Sequence, residues 1–294
     1  MTETHNTAAT ELPAQPKNRI IKRFLRHKLA VLGLAIIIVL TVASIVGPWL
    51  IPFDQLYIDL RNRSAPPLTG AHIFGTDPLG RDVAARLFMA GRVSLTAGVA
   101  AMLISTVIGV FVGTVAGYYG GRIGTVLMRI VDGFLAFPSI FLMLTLAAFI
   151  QPSPLMITLI IAVTSWMQVA RVVDAEVRSL RNREFILAAT MLGLSPSRMM
   201  FAEILPNVTG PIIVSATLTI ANAILLEAYI SFLGYGIQPP LPSWGNMLNG
   251  AQQYLASAPW LAIVPGVAIT LAVTGFNFVG DGLRDALDVR GDTK

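Results

Sequence analysis

The chain has 294 residues, a formal net charge of +5 and no cysteine, which excludes disulfides and thiolate metal sites. It is 54% hydrophobic and only 13% charged, with a mean hydropathy of +0.70. This balance excludes an ordinary soluble domain and places the chain in a lipid bilayer.

Six stretches of the chain are long and apolar enough to cross the roughly 30 Å of hydrocarbon in a bilayer. These predicted spans are 29–51, 93–118, 125–150, 154–172, 208–233 and 260–279. Each is predicted to be a helix, because lipid offers backbone groups no hydrogen-bond partner and the alternating period of a membrane barrel is absent. The prediction is an all-α, polytopic membrane protein. Its transmembrane domain covers 28–290, between tails at 1–27 and 291–294.

The N-terminal region joins a polar stretch to the first span. Residues 1–16 lack hydrophobic periodicity, which predicts a disordered tail. The apolar run after Lys28 has no small-residue cleavage pattern at its end. An uncleaved anchor is therefore favoured over a signal peptide.

The distribution of basic residues predicts the orientation of the spans. With the N-terminus in the cytoplasm, fifteen lysines and arginines lie on the cytoplasmic side. Five lie on the other side, at Arg61, Arg63, Arg81, Arg86 and Arg92. The positive-inside rule thus places both termini in the cytoplasm. The basic residues sit at membrane boundaries and do not interleave with aromatic residues, so nucleic-acid binding is not expected.

Two predicted outer loops, 52–92 and 234–259, differ in composition. The first is too long for a simple turn and mixes charged with apolar residues, so it is predicted to fold over the outer mouth of the bundle. The second carries no charge and sets Trp244 among prolines and glycines, a composition typical of a cap or a re-entrant segment. Each loop is a candidate lid and a candidate docking surface for an external partner.

Polar side chains inside the predicted spans are few, and a charge at the centre of a membrane helix costs roughly 2.5–3.5 kcal/mol on insertion scales. Arg129 and Asp132 are three residues apart on one helical face and are predicted to neutralise each other. Glu227 has no local partner and is predicted to face either a sister subunit or a pore. Asn222 and Asn277 are candidates for interhelical hydrogen bonds or for pore groups.

Two prolines within the spans, Pro138 and Pro265, predict local irregularity. Proline lacks a backbone N–H, and its ring clashes with the carbonyl four residues earlier. We therefore expect kinks or broken helices, which suit a moving bundle and are also common packing features.

A predicted cytoplasmic segment, 173–207, separates the fourth and fifth spans. Its apolar positions recur at helical spacing and predict a short amphipathic helix. These positions are Phe185, Ala188, Ala189 and Leu192. Gly193 follows them and suits a left-handed C-terminal cap.

A second short helix is predicted in the same segment. Ser195 is typical of an N-cap and Pro196 of a first helical position. Pro206 is predicted to end this helix before the fifth span begins. The resulting unit of helix, turn and helix either lies on the lipid headgroups or docks a soluble partner.

The sequence of this unit resembles a known docking motif. AATMLGLSPSRMMFAEILP, residues 188–206, is similar to the cytoplasmic EAA loop of permease subunits of binding-protein-dependent ABC importers. In that loop E-A-A is followed by three residues, a glycine, nine residues and I-x-L-P. The matching positions are Ala188, Ala189, Gly193, Leu205 and Pro206. Leu187 replaces the motif's glutamate and Glu203 its isoleucine, so no contact by a first-position glutamate is carried over.

Further stretches narrow the resemblance to the dipeptide, oligopeptide and nickel permease group, specifically its second (C-type) permease subunit. They are FGTDPLGRDVAARLFMAGRVSL (74–95), AGYYGGRIGTVLMRIVDGFLAFPS (116–139), ISFLGYGIQPPLPSWGNML (230–248) and GDGLRDALD (280–288). The resemblance covers about 22–290. It implies a type I ABC importer transmembrane-domain fold with about six transmembrane helices, in a bacterial cytoplasmic (inner) membrane.

The resemblance also implies partners. In such importers two homologous permease subunits form a heterodimeric pore, two cytoplasmic ATPases drive it, and an extracytoplasmic solute-binding protein delivers the solute. The ATPase-coupling residues implied here are Glu184, Phe185, Ala188, Ala189, Leu192, Gly193 and Pro206. The implied solute is a dipeptide or an oligopeptide, with nickel or another small solute as the alternative.

Catalysis by the chain itself is not expected. A phosphate-binding loop requires Gly-Lys-Ser/Thr, and none of the four lysines follows a glycine. ATP and Mg²⁺ are therefore expected to act in partner subunits, with no cofactor or metal on this chain. The histidines, His5, His27 and His72, are too scattered for a zinc site. An ion-gradient-driven carrier remains as an alternative, although inverted repeats and sufficient intramembrane carboxylates are missing from the sequence.

Overall fold

The computed structural model describes residues 17–287 and shows helices joined by loops in that range. The helices are α1 (Lys17–Arg26), α2 (Lys28–Leu50), α3 (Val83–Tyr119), α4 (Gly121–Ala136), α5 (Ser139–Phe149), α6 (Pro154–Arg181), α7 (Glu184–Met191), α8 (Pro196–Arg198), α9 (Thr209–Phe232), α10 (Trp244–Ala251) and α11 (Trp260–Leu287). Of the predicted tail 1–27, residues 1–16 lie outside the described residues and Lys17–Arg26 form α1. The predicted tail 291–294 also lies outside the described residues. So does the end of the predicted transmembrane domain, 288–290.

The membrane-spanning helices follow the predicted stretches. Within the described residues, α2, α3, α6, α11 and the stretch Pro196–Phe232 are each long and apolar enough to cross a bilayer. The remaining prediction, 125–150, corresponds to a broken pair, α4 and α5, which meet at an angle of 83°. The all-α, polytopic fold is confirmed.

The break between α4 and α5 lies at Pro138. Phe137, immediately before it, has φ −88° and ψ 134°, which is the extended geometry that a proline imposes on its predecessor. α5 then starts afresh at Ser139. Pro138 therefore redirects the chain, whereas Pro265 is buried inside the continuous α11.

The helix α3 begins well before its predicted start at residue 93. The Asp82 carboxylate caps it by accepting a hydrogen bond from the Ala85 backbone N–H at 2.7 Å, and such a cap fixes where a helix starts. Arg86 and Arg92, predicted in an outer loop, consequently lie on the first three turns of α3.

The helix α6 extends beyond its predicted end at residue 172. It continues to Arg181, with Asp174 and Arg178 forming an ion pair one turn apart at 2.9 Å. The first part of the predicted segment 173–207 is therefore a helical extension of the fourth span, and the connecting chain begins only at Asn182.

The core of the bundle is the parallel pair α3 and α6. Glycines on α3 face valines on α6 in register: Gly109 with Val169, Gly113 with Val173, and Gly117 with Val177. A Cβ atom added at Gly113 would lie only 2.5 Å from the Ala170 carbonyl oxygen. Small residues in such a row let helix backbones approach closely, which favours helix association in a membrane.

The other long helices pack around this pair. Gly98 of α3 contacts Ile224 of the antiparallel α9, and Gly33 of α2 contacts Gly275 of the antiparallel α11. The helix α3 also packs against α2. It therefore lies at the centre of the fold.

The connections divide between two ends of the bundle. Residues 51–82 and 233–259 lie together at one end, which we call the loop end. They share an apolar cluster that contains Phe74, Val83, Ala251, Tyr254, Ala258, Trp260 and Leu261. Residues 182–208, which include α7, lie at the opposite end, which we call the α7 end.

At the loop end, α10 folds back onto the bundle. Ser243 and Asn246 form a reciprocal capping box, which fixes the start of this short helix. The Trp244 ring is buried, and its indole N–H donates to the Leu87 carbonyl at 3.2 Å. The segment is thus fixed against α3.

Candidate functional site

The helix α7 projects from the bundle with apolar side chains on its outer surface. Met191 is 88% exposed and Leu192 is 81% exposed, and Phe185 is also exposed. The helix is anchored by Ile186, which is 2% exposed and packs in a cluster with Val177 of α6. One buried side chain therefore ties an otherwise uncovered helix to the spans.

The turn after α7 has the geometry of a Schellman motif. Gly193 has φ +75°, and its N–H donates to the Thr190 carbonyl at 3.0 Å. The Leu194 N–H donates to the Ala189 carbonyl at 3.3 Å. These two hydrogen bonds and the left-handed residue define the motif, so the C-cap predicted at Gly193 is confirmed.

The predicted coupling residues do not all share one surface. Glu184, Phe185, Ala188 and Leu192 are exposed, as a docking face requires. Ala189 is instead half-buried against the cluster around Ile186. Of the apolar positions predicted to form the docking face, Ala189 therefore packs against the permease chain instead of facing outward.

The prediction that Pro206 ends a helix is wrong. The chain runs from Pro196 to Phe232 as one helical stretch. Residues Met199–Ile204 take π-helical hydrogen bonds, and Leu205–Val208 form a 3₁₀ turn. Pro206 therefore lies inside a stretch that continues into the fifth span.

The hydrogen bonds around Pro206 explain why the helix continues. A proline cannot donate to the carbonyl four residues earlier and clashes with it, and the wider π turn changes that register. The Asn207 side-chain amide donates to the Glu203 carbonyl at 2.6 Å. The Thr209 hydroxyl donates to the Pro206 carbonyl at 2.7 Å. Side chains thus supply donors that the backbone ladder lacks.

The predicted pair of Arg129 and Asp132 is also wrong. The Asp132 carboxylate accepts a hydrogen bond from the Arg171 guanidinium of α6, and both side chains are about half exposed. Arg129 forms no ion pair within the part of the chain that the structure describes. Because Arg171 is distant in sequence, no local spacing signal pointed to this partner.

Glu227 was predicted to face a sister subunit or a pore, and it does neither. It is fully buried inside this chain. Its carboxylate accepts hydrogen bonds from the Ser94 hydroxyl at 2.8 Å and the Ser231 hydroxyl at 2.7 Å. The Ser94 oxygen in turn accepts from the Trp244 backbone N–H at 3.2 Å. Glu227 thus connects α9 to α3 and to the start of α10.

Asn222 and Asn277 have different surroundings. Asn277 is half-buried on α11. Asn222 is exposed on α9 and lines a cavity of about 310 Å³ beside the break at Pro138. Gln168 of α6 lines the same cavity. The cavity therefore gathers polar groups from two spans at a helix break.

Gln168 and Ser165, one turn apart on α6, also line this cavity and were not among the predicted site residues. The available signal was the polar character of both residues within an apolar predicted span. An uncovered amide facing lipid is costly. The exposure of Gln168 in a single chain is thus typical of a surface covered by protein or water.

Comparison with known proteins agrees with these features. Residues 109–291 match the family described as "Binding-protein-dependent transport system inner membrane component". Residues 16–67 match the family described as "N-terminal TM domain of oligopeptide transport permease C". The first match covers the α7 end and the cavity beside Pro138.

Individual relatives align over most of the chain. The chain is 40% identical over 266 residues to the oligopeptide transport system permease protein OppC of Bacillus subtilis (strain 168), covering 90% of this chain and 87% of that protein. It is 42% identical over 273 residues to the dipeptide transport system permease protein DppC of Alkalihalophilus pseudofirmus, covering 93% and 90%. These similarities show that the chain belongs to the family of binding-protein-dependent transport system inner membrane components.

Proposed function

We propose that the chain is one of two permease subunits of an ATP-driven peptide importer. The observation that carries this proposal is α7, a helix with exposed apolar side chains at one end of a membrane bundle. The names of the relatives favour dipeptides or oligopeptides over the nickel alternative. The second subunit is a homologous permease, and a solute-binding protein delivers the peptide.

The orientation follows from the position of the basic residues. The α7 end carries Arg181, Arg183 and Arg198, and the positive-inside rule places such a cluster in the cytoplasm. Both termini then lie in the cytoplasm, and the loop end faces outward. In a bacterium the membrane is the cytoplasmic (inner) membrane.

The exposed face of α7 docks on one of two separate ATPase subunits, which bind ATP and Mg²⁺. Burying a large apolar side chain is worth roughly 1.5–3 kcal/mol. Shifting a two-state equilibrium from about 1:99 to 99:1 needs about 5.5 kcal/mol of differential binding. Burial of Phe185, Met191 and Leu192 against the ATPase in only one of the two states would supply a difference of this size.

Movement of α7 is transmitted to the spans through its anchor. Ile186 packs against Val177 of α6 and against Met199 and Ile204 of the stretch that continues into α9. A displacement of α7 therefore moves both of these spans, which also line the cavity beside Pro138. Rigid-body motion of this kind is a common route between alternative transporter states.

Cysteine crosslinking in the assembled importer tests the docking contact. Met191→Cys is expected to crosslink to an ATPase subunit, with a yield that changes when ATP is added. Phe111→Cys, an exposed apolar position on α3, is the matched control and should give no ATPase product. Equal ATPase crosslinking from both positions, or none from Met191→Cys, would contradict docking through α7.

Reconstitution tests the transport function. The chain should co-purify with a second permease and two ATPases, and vesicles containing the complex should take up peptides in a vanadate-sensitive way. Peptide uptake by this chain alone, driven by an ion gradient, would instead support a secondary carrier.

A further inference from the structure

A second cavity, of about 280 Å³, opens at the loop end between the start of α3 and the segment 233–259. Its walls are largely apolar and include Leu79, Val83, Ile237, Met247 and Leu261. The charged residues that line it are Asp77, Arg81 and Arg86. Two cations and one carboxylate leave this lining with a net positive charge.

Arg86 is the unusual member of this lining. Its side chain is only 7% exposed, and its Nη1 atom is buried without a hydrogen-bond partner among the described residues. Its ion pair with the Asp77 carboxylate spans 3.8 Å from Nε to Oδ2, which is too long for a hydrogen bond. A buried guanidinium normally has its donors satisfied, so this one lacks an acceptor.

The Asp77 carboxylate already accepts hydrogen bonds from three other donors. Its Oδ1 accepts hydrogen bonds from the backbone N–H groups of Leu79 at 2.8 Å and Arg81 at 3.0 Å. Its Oδ2 accepts from Nε of Arg81 at 2.6 Å. The carboxylate thus holds the turn before α3 in shape and pairs closely with Arg81, while Arg86 keeps only the longer ion pair of 3.8 Å and an Nη1 group without an acceptor.

We propose that Arg86 binds the terminal carboxylate of the transported peptide in this cavity. The volume of the cavity is about ten times the volume that one water molecule occupies in liquid water. This volume is suitable for the last residue of a peptide. A guanidinium is the side chain best matched to a carboxylate, because its planar N–H groups fit two oxygens at once. The apolar walls then contact the terminal side chain without strict selection.

The site rests on the proposed function, because it lies at the end of the bundle that faces the solute-binding protein. The end of the peptide binds at this site before the peptide reaches the cavity beside Pro138. An acidic side chain of the binding protein is the competing occupant. The two occupants can be distinguished by experiment, because only binding of the peptide carboxylate depends on the chemistry of the peptide terminus.

Photolabelling tests occupancy without requiring transport. The assembled complex is illuminated with a tripeptide of two alanines and a C-terminal diazirine leucine, or with the C-terminal amide of the same tripeptide. The free acid should label Met247 or another wall residue at least about tenfold more than the amide, since hydrogen bonds to a charged group contribute about 1.5–3 kcal/mol. Arg86→Gln should remove this preference, and Arg86→Lys should keep part of it.

Arg92→Gln is the matched control. Arg92 lies on the same helix, but its Nε donates to the Ser44 carbonyl at 2.7 Å, away from the cavity. This variant should label like the unmodified complex. Equal labelling by acid and amide in the unmodified complex, or an acid preference that survives Arg86→Gln, would overturn the proposal.

Uptake measurements separate this site from the proposed function. In vesicles with the binding protein, Arg86→Gln should lower uptake of the free tripeptide at least about tenfold through a higher KM. An equal fall for a C-terminal amide that the binding protein also delivers would point to the binding protein as the occupant and overturn the proposal. Failure of the unmodified complex to take up any peptide would instead contradict the proposed function.

Discussion

The two ends of the bundle differ in how their residues are held in place. At the α7 end, Met191 and Leu192 are large apolar side chains left uncovered. At the loop end and in the helices next to it, polar and charged groups are buried. Glu227 of α9 lies between two serines, and the His72 Nδ1 atom is 2.8 Å from the Asp82 Oδ2 atom. Both ends expose apolar side chains, but α7 is tied to the bundle by one buried side chain, Ile186, whereas the loop end is held together by its own buried hydrogen bonds.

This difference indicates which end of the bundle a partner protein can displace more easily. A surface that exposes apolar groups gains free energy when another protein covers it. A segment fixed by buried hydrogen bonds resists displacement, because breaking them leaves unsatisfied groups in a region of low dielectric. We therefore propose that a partner acts on the α7 end, while the loop end stays rigid. The variants below test this contrast, from the largest effect on folding to the smallest.

Glu227→Ala should give the largest loss of stability. It removes the acceptor of the Ser94 and Ser231 hydroxyls and leaves a buried hole, at an expected cost of about 3 kcal/mol. Unfolding of the assembled complex in mixed micelles by SDS titration measures this cost. Glu176→Ala, at a half-buried position on α6, should cost far less, and equal losses would show that the loop end is not held by Glu227.

Gly113→Leu should destabilise the packing of α3 on α6, the helix pair that runs between the two ends. Its Cβ would meet the Ala170 carbonyl oxygen at 2.5 Å, and overpacking of this kind costs about 1–3 kcal/mol. The same SDS titration reports the change. Gly133→Leu is the control, since no atom lies within 4 Å of a Cβ built there. Similar stability for the two variants would contradict close packing of α3 on α6.

Gly193→Val should affect folding less but transport more. Nothing within 4 Å opposes the added Cβ, so the cost is backbone strain at φ +75°, about 1–2 kcal/mol. The α7 helix would lose its cap and its docking angle, and peptide uptake should be abolished while membrane insertion persists. Gly133→Val, at an open position on α4 with no positive φ, should retain uptake, and normal uptake by Gly193→Val would refute the role of the cap.

Asp132→Asn should have the smallest effect. Its ion pair with Arg171 is about half exposed, and such pairs contribute less than about 1 kcal/mol. Arg129→Gln should leave stability unchanged within the error of the SDS titration. A larger loss of stability for Arg129→Gln than for Asp132→Asn would support the pairing of Arg129 with Asp132 that helical spacing predicts.

Local patterns in the sequence were sufficient for much of the fold. Hydropathy located the spans, because a membrane helix must be apolar along its whole length. Gly193 was identified as a cap because few other residues tolerate its φ. The exposed face of α7 could also be predicted, apart from Ala189, which packs inward.

Two of the errors share a different cause, namely contacts between residues far apart in the chain. Asp132 pairs with Arg171 instead of Arg129, and Glu227 bonds to Ser94 on a different helix. Neither partner has a local spacing signal. Pro206 was misjudged because hydrogen bonds from neighbouring side chains and a π turn let the helix pass through a residue that usually ends one.

The most direct test of the central contrast places one charge at each end. Leu192→Asp and Leu68→Asp alter side chains that are 81% and 80% exposed at the α7 end and the loop end. Both variants should insert and fold normally, but only Leu192→Asp should lose co-purifying ATPase and peptide uptake. Full retention of the ATPase by Leu192→Asp, or equal loss from both variants, would contradict docking through α7.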